Sequence, residues 1–249
     1  MLDLESTAAN NAMFGSFPLL YKLGRFLPMM KRAQAISDRL REYAEQSLER
    51  YRRVLENDPE KVQKTLFTKL YQGIDDETLT HKEINDEAQI YIVAGSDTTA
   101  NTLTYLTWRL CLPENRHIKY RLLKELDTLP ESDFSDSDLK HLPYLGNIIS
   151  ETLRLHAAVP GGLRRVVPEG GAVIGGYQLP AGGEVMTNCY SIHRNAQVFP
   201  DPETFDPDRW ENPSKEMKDA FLPYGGGSRG KSYTTTSSFV SAIIEVIGS

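Results

Sequence analysis

Cysteine is nearly absent from this chain, which carries only Cys111 and Cys189 in 249 residues. Two cysteines build no disulfide framework, and their separation matches no metal-ligand spacing, which fits a reducing compartment. No block of lysine and arginine occurs and the formal net charge is −6, so the electrostatic footprint of a nucleic-acid partner is missing. Long apolar runs are also lacking. The opening "MLDLESTAANNAMFGSFPLLYKLGRF" is interrupted by Asn, Gly and Pro, so no membrane anchor or secretory signal is expected in this chain. Alone, it is expected to be soluble or cytoplasmic. No internal repeat or long low-complexity tract points to a solenoid or a linker. What remains is ordinary for a globular protein, 40% hydrophobic and 25% charged, with length for one large or two small domains.

The first two thirds predict helices. Over Pro28 to Asn57, the residues Ala33, Ile36, Leu40, Tyr43, Ala44, Leu48, Tyr51 and Leu55 recur at spacings of three and four between alternating charges. That is an amphipathic helix with one solvated face, ended by Pro59. A second helix starts at "THKE", where Thr80 and Glu83 make a capping box, and runs to Pro113. At 1.5 Å per residue it is roughly 45 Å long. Its middle, "IYIVA", is apolar on nearly every side and predicts burial. "PENRHIKYRLLKELDTL" makes a third, amphipathic helix, and "SDSDLKHLPYLGNIISETLRLH" a short capped turn and then a fourth, with Pro143 suited to a first-turn position.

Beyond His156 the pattern changes. "GAVIGGYQLPAGGEVMTNCYS" has short apolar runs broken by Gly-Gly and Pro-Ala-Gly-Gly, which predicts small antiparallel hairpins. "FPDPETFDPDRWENP" predicts turns. The fold class is therefore mostly α with a small β portion.

Near the end, Gly225 to Ser232 satisfy the phosphate-binding pattern G-x-x-x-x-G-K-S/T. A phosphate-cradling loop must follow a buried strand and open a helix. Here Pro223 stands where the strand should run, and a Ser/Thr-rich stretch follows. The nucleotide-binder reading therefore ranks last.

Three other constellations carry more. "AGSDTT", Ala94 to Thr99, sets polar, weakly helix-forming residues inside an apolar helix. Either Thr98 and Thr99 bond back to carbonyls one turn earlier while Asp97 finds an arginine, or an acid and a hydroxyl line a groove. "ETLR" puts Glu151 and Arg154 on one helix face, among Ile149, Leu153 and Leu155. Such a pair is either an ordinary surface ion pair or a buried one needing further donors. "FDPDRW" holds Arg209, which is able to supply such a donor to Glu151.

In this order, the set resembles the cytochrome P-450 family of haem-thiolate monooxygenases, of the fungal membrane type. The family's A-G-x-D/E-T-T is matched by Ala94, Gly95, Ser96, Asp97, Thr98 and Thr99. Its E-x-x-R is matched by Glu151 and Arg154, and its P-x-R-F/W by Pro207, Asp208, Arg209 and Trp210. "LRRVVPEGG" resembles the strand whose arginine, here Arg165, meets a haem propionate. "FLPYGGGSRG" resembles the first part of the haem-binding loop, with Phe221, Tyr224, Gly225, Gly227 and Arg229 in register.

The resemblance implies haem as cofactor, an NADPH-dependent reductase as partner and a small organic substrate, with secondary metabolism as the expected setting. It implies the endoplasmic reticulum membrane for the full-length type. Asp97 and Thr98 would handle protons; Ala94, Gly95, Arg165, Tyr224, Gly225 and Arg229 would bind the cofactor. Glu151, Arg154 and Arg209 would form a structural cluster. The match stops within one residue: Lys231 occupies the position of the cysteine iron ligand. A protonated ammonium is no replacement for a soft thiolate. Residues 1–230 are thus expected to be a partial domain of this family and 231–249 an unrelated tail. "GKS" is encodable as GGT AAG TCN, which contains a common intron donor signal, so a retained intron is the first explanation and a frameshift the second. The chain as written is expected to be catalytically incompetent. The alternative is a non-catalytic remnant acting as a binding module.

Overall fold

The computed structural model of the chain describes residues 28–57, 67–70, 79–130, 138, 141–161 and 163–225. It divides into two compact units, Met1–Asp97 and Thr98–Ser249.

In the first unit, helix α1 spans Pro28–Asn57 and helix α2 begins at His81, continuing into the second unit to Cys111. The capping box forms as the sequence predicts. The Thr80 amide donates to Glu83 Oε2 at 2.8 Å and the Glu83 amide to Thr80 Oγ1 at 3.3 Å. The Thr80 amide and hydroxyl, both donating to Glu83 Oε2, hold the Glu83 carboxyl below the usual carboxylate range. Ala44 and Leu48 of α1 pack with Leu70 against Ile84 and Ala88 of α2, and Asn85 Nδ2 donates to Glu45 Oε1 at 2.9 Å.

The expected burial of the middle of α2 does not hold among the described residues. Ile90 is 57% exposed, Tyr91 to Val93 are half-buried, and Ala94 to Ser96 are exposed. The run is apolar all round, but only the stripe through Ile84, Ala88, Tyr91 and Ile92 finds partners in the small core. Tyr43 of α1 likewise faces outward.

The second unit holds the larger core. The end of α2 supplies Leu106 and Leu110; α3 (Arg116–Leu126) supplies Ile118 and Leu122; α4 (Pro143–Leu155) supplies Leu145, Ile148, Ile149 and Leu153. Helix α4 begins with Leu142 at its N-cap, which has no side-chain acceptor, and Pro143 in its first turn. Its free amides are met from elsewhere: the amides of Tyr144 and Leu145 each donate to one carboxylate oxygen of Glu125, both at 2.8 Å. The carboxylate also complements the positive end of the helix dipole.

The β portion is small and antiparallel. Strand β1 (Leu163–Val166) pairs with β4 (Glu184–Thr187), with Arg164 opposite Met186 and Arg165 opposite Val185. Strands β2 (Ala172–Ile174) and β3 (Tyr177–Leu179) form a hairpin. Its two-residue turn, Gly175-Gly176, has φ of 59° and 86°, the left-handed pair that a tight hairpin requires. After β4 come the one-turn helix α5 (Cys189–Ile192), a 3₁₀ turn at Pro207–Trp210 and helix α6 (Lys215–Ala220). The Pro- and Asp-rich segment is otherwise turns, as its composition predicts.

Candidate functional site: a buried carboxylate cluster

Glu151 and Arg154 sit one turn apart on the inner face of α4, and both are fully buried. Arg154 grips Glu151 with two bonds, Nε to Oε2 at 2.9 Å and Nη2 to Oε1 at 2.8 Å. The ordinary surface-pair reading therefore fails here. Burying an ion pair is costly unless every remaining lone pair and proton is met, and here they are met. Arg209 Nε donates to Glu151 Oε1 at 3.1 Å, the Asp206 amide to the same oxygen at 2.9 Å, and Trp210 Nε1 to Oε2 at 2.9 Å. Five N–H groups thus converge on one carboxylate.

The guanidiniums are satisfied in turn. Arg154 donates to the carbonyls of His193 at 2.7 Å, Pro202 at 2.7 Å and Thr204 at 3.2 Å, and lies over the Phe199 ring at 5.3 Å. Arg209 donates to the Pro200 carbonyl at 3.0 Å. Among the described residues no buried side-chain nitrogen or oxygen lacks a partner. Glu151 and Arg154 on α4, together with Arg209 from 58 residues beyond Glu151, therefore fix the turns of residues 193–210 to α4. Arg121 adds an outer tie, pairing with Asp208 at 2.8 Å and with Glu211, and stacking over Tyr144 at 4.0 Å. Burial pushes the Tyr144 phenol up to about 12.

The segment leading into the glycine-rich loop lies against this cluster. Phe221 packs on Trp210, ring centroids 4.5 Å apart, and on His193 at 5.6 Å. Leu222 to Gly225 form a turn in which the Gly225 amide donates to the Leu222 carbonyl at 3.1 Å. Pro223 takes its second position and Gly225 has φ of 79°, a conformation that favours glycine. A turn and the short helix α6, not a strand, precede Gly225, which removes the context a phosphate-binding loop needs. Tyr224 is 45% exposed. Arg229 and Lys231 lie outside the described residues.

His193, unremarked in the sequence, is fully buried between these parts. The Leu222 amide, a donor only, meets His193 Nε2 at 2.9 Å. The ring proton therefore sits on Nδ1, which donates to the Arg154 carbonyl at 3.1 Å. Burial brings this imidazole down to about 4, with the Arg154 and Arg194 cations acting in the same direction. Cys189, one turn earlier on α5, is buried and its thiol lies 3.4 Å from the Leu222 carbonyl. Burial pushes that thiol up. The spacing of Cys189 and His193, one helical turn apart, was the available signal; their shared partner 29 residues from His193 was not.

Arg165 stands on β1 and is exposed. Its neighbour Arg164 leaves the opposite strand face and pairs with Glu184 at 3.4 Å. Arg165 has no carboxylate partner among the described residues and donates only to the Arg164 carbonyl, at 2.8 Å. It makes no hydrogen bond to the cluster. On α2, Asp97 and Thr98 are half-buried, and Ala94 and Gly95 are exposed. A side-chain atom added at Gly95 would meet nothing within 4 Å. Asp97 finds no arginine among the described residues. Back-bonding occurs at Ser96 to Ile92 (2.6 Å), Thr102 to Thr98 (2.9 Å) and Thr104 to Ala100 (2.7 Å).

A haem demands cations for its carboxylates and a soft donor for its iron. The exposed guanidinium of Arg165, with no carboxylate partner among the described residues, would fit the first demand. For the second, the chain has two cysteines, Cys111, exposed at the end of α2, and Cys189, buried, and residue 231 is lysine. No cluster of metal-binding side chains occurs among the described residues. Nor is any described helix long and apolar enough to cross a membrane.

Comparison with known proteins agrees with this geometry. The sequence model of the Cytochrome P450 family matches residues 3–230. The chain is 45% identical to the cytochrome P450 monooxygenase orf2 of Aspergillus niger, over 91% of this chain and 46% of that protein. It is 41% identical to the cytochrome P450 monooxygenase azaI of another A. niger strain, over 91% of this chain and 52% of that one. With tazI of Aspergillus terreus it shares 42%, over 91% and 47%. The chain thus spans about half the length of the curated relatives it matches. A crystal structure of a cytochrome P450 (CYP102L1) superposes with a TM-score of 0.65 at 21% identity, covering 83% of this chain and 48% of that one; this supports the fold. The chain belongs to the cytochrome P450 family, whose cofactor is haem.

Proposed function

We propose that this chain is the scaffold half of a haem monooxygenase that places one oxygen atom of O2 in a small organic substrate of secondary metabolism and releases the other as water. An NADPH-dependent reductase would supply the electrons, and the endoplasmic reticulum membrane would house the full-length enzyme. The observation that carries the reading is the closed cluster of Glu151, Arg154 and Arg209, which fixes the segment leading into the glycine-rich loop. Arg165 and Arg229 are assigned to the haem carboxylates, and Ala94, Gly95, Tyr224 and Gly225 to its surroundings. Asp97 and Thr98 are assigned the holding and passing of a proton, a carboxylate and a hydroxyl being suited to a relay.

With Lys231 at the ligand position, the chain as written is proposed not to form a thiolate-ligated haem, and residues 231–249 are proposed to lie outside the family domain. The test is to express residues 1–249 with haem and reduce them under carbon monoxide. The expected result is no thiolate-type absorbance band; its appearance overturns the proposal. Genomic codons for 230–232 that do not spell an intron donor would remove the retained-intron explanation of the tail.

A further inference from the structure

The geometry points to Cys189 and His193 as positioning residues that together clamp both backbone groups of Leu222, and so set where the glycine-rich loop begins. Cys189 opens α5 and His193 caps its end, an i,i+4 pair, and each reaches a different group of the same residue. His193 Nε2 accepts the Leu222 amide at 2.9 Å, and the Cys189 thiol donates to the Leu222 carbonyl at 3.4 Å. That carbonyl also accepts the Gly225 amide at 3.1 Å, so the clamp and the turn share one oxygen. The other ring nitrogen of His193 bonds the Arg154 carbonyl at 3.1 Å. One imidazole therefore joins the end of the carboxylate-bearing helix to the first turn of the loop, with no long side chain between them.

The chemistry demands these residue types. The acceptor for the Leu222 amide must be buried, uncharged and able to donate at its far side, which only a neutral imidazole does within so short a span. The charged groups facing that ring, Arg154 and Arg194, are both cations, and they disfavour its protonated form, which would have no acceptor to offer. The thiol must keep its proton in order to donate, and its burial ensures that. Phe199 and Phe221 flank the ring, 6.4 and 5.6 Å from it by centroid, so its plane is held by packing while its nitrogens set direction.

This inference rests on the reading of residues 221–230 as the start of a haem-binding loop for its purpose, but not for its test. Amide exchange of Leu222 is measured in the whole chain without added haem, in the wild type and in H193F and H193Q. Phenylalanine keeps a planar aromatic ring and loses both bonds; glutamine restores an acceptor near the Nε2 position. Leu222 exchange is expected to rise about tenfold in H193F and to return to within about twofold of wild type in H193Q, the size of one buried hydrogen bond. Equal Leu222 protection in H193F and wild type overturns the clamp, as does a loss in H193Q as large as in H193F. Should H193F not fold, imidazole nitrogen shifts of the wild-type chain decide: a protonated Nδ1 and a bare Nε2 are expected, and the reverse tautomer overturns the proposal. Failure of the haem reading would show as genomic sequence in which no codons downstream of residue 230 supply a cysteine in register, and would leave these exchange rates untouched.

Discussion

A carboxylate that receives five N–H groups tolerates almost no replacement. In Glu151→Gln the new amide would direct its own N–H2 at donors from Arg154, Arg209, Trp210 or the Asp206 backbone. The two guanidiniums would also lose their buried counter-charge. Removing one partner from a buried ion pair costs about 3–5 kcal/mol, and E151Q is expected to fall in that range in urea unfolding. Trp210→Phe removes one donor and keeps most of the ring that packs on Phe221, so a smaller loss of about 1–3 kcal/mol is expected. Equal losses for the two variants would show that packing, not charge, holds the cluster. The pairing of Glu151 with Arg154 was legible from a three-residue spacing. Its burial was suggested by the neighbouring leucines. The third partner was legible only as a possibility, because Arg209 arrives from 58 residues away and spacing says nothing about distant chain returns.

At the scale of elements, local signals located the helices and were silent on what holds them. The period of α1 and the capping box of α2 were readable because their causes lie within a few residues. Which face of α2 is covered was not, since a run that is apolar on all sides carries no directional information. The start of α4 shows the same limit. Pro143 announces the helix, yet its cap comes from Glu125, near the end of α3, where no motif points to it. In Glu125→Ala the amides of Tyr144 and Leu145 lose their acceptor at a partly buried helix end. A loss of about 1–2 kcal/mol is expected, typical of a deleted cap. Amide exchange should rise at Tyr144 and Leu145 while Glu83 and the other amides at the start of α2 stay unchanged. A uniform rise in both places would mean that the carboxylate supports the whole chain and not one helix end.

For the whole molecule, acid should be the condition that undoes the second unit, through two histidines held neutral. His156 and His193 are both brought down to about 4, chiefly by burial, against about 6.5 in an unfolded chain. Above 6.5 both states are neutral at these rings and the full stability is present. As pH falls from 6.5 toward 4, the unfolded chain binds protons that the folded one refuses, so stability declines with falling pH. The loss amounts to about 3 kcal/mol per histidine at most. His156 stacks on Tyr105 at 4.4 Å, meets Trp108 edge-on at 5.8 Å and accepts from Arg109 Nε at 3.0 Å; protonation would turn that last bond into a repulsion between cations. The chain has two tryptophans, and each reports on one of these rings: Trp108 contacts His156, and Trp210 packs on Phe221 beside His193. Urea midpoints followed by tryptophan fluorescence are expected to drop between pH 7 and pH 5 in the wild type. They should drop much less in a variant carrying both H156Q and H193Q, whose side chains do not titrate. Parallel pH profiles for the two proteins would show that these two histidines do not carry the acid sensitivity.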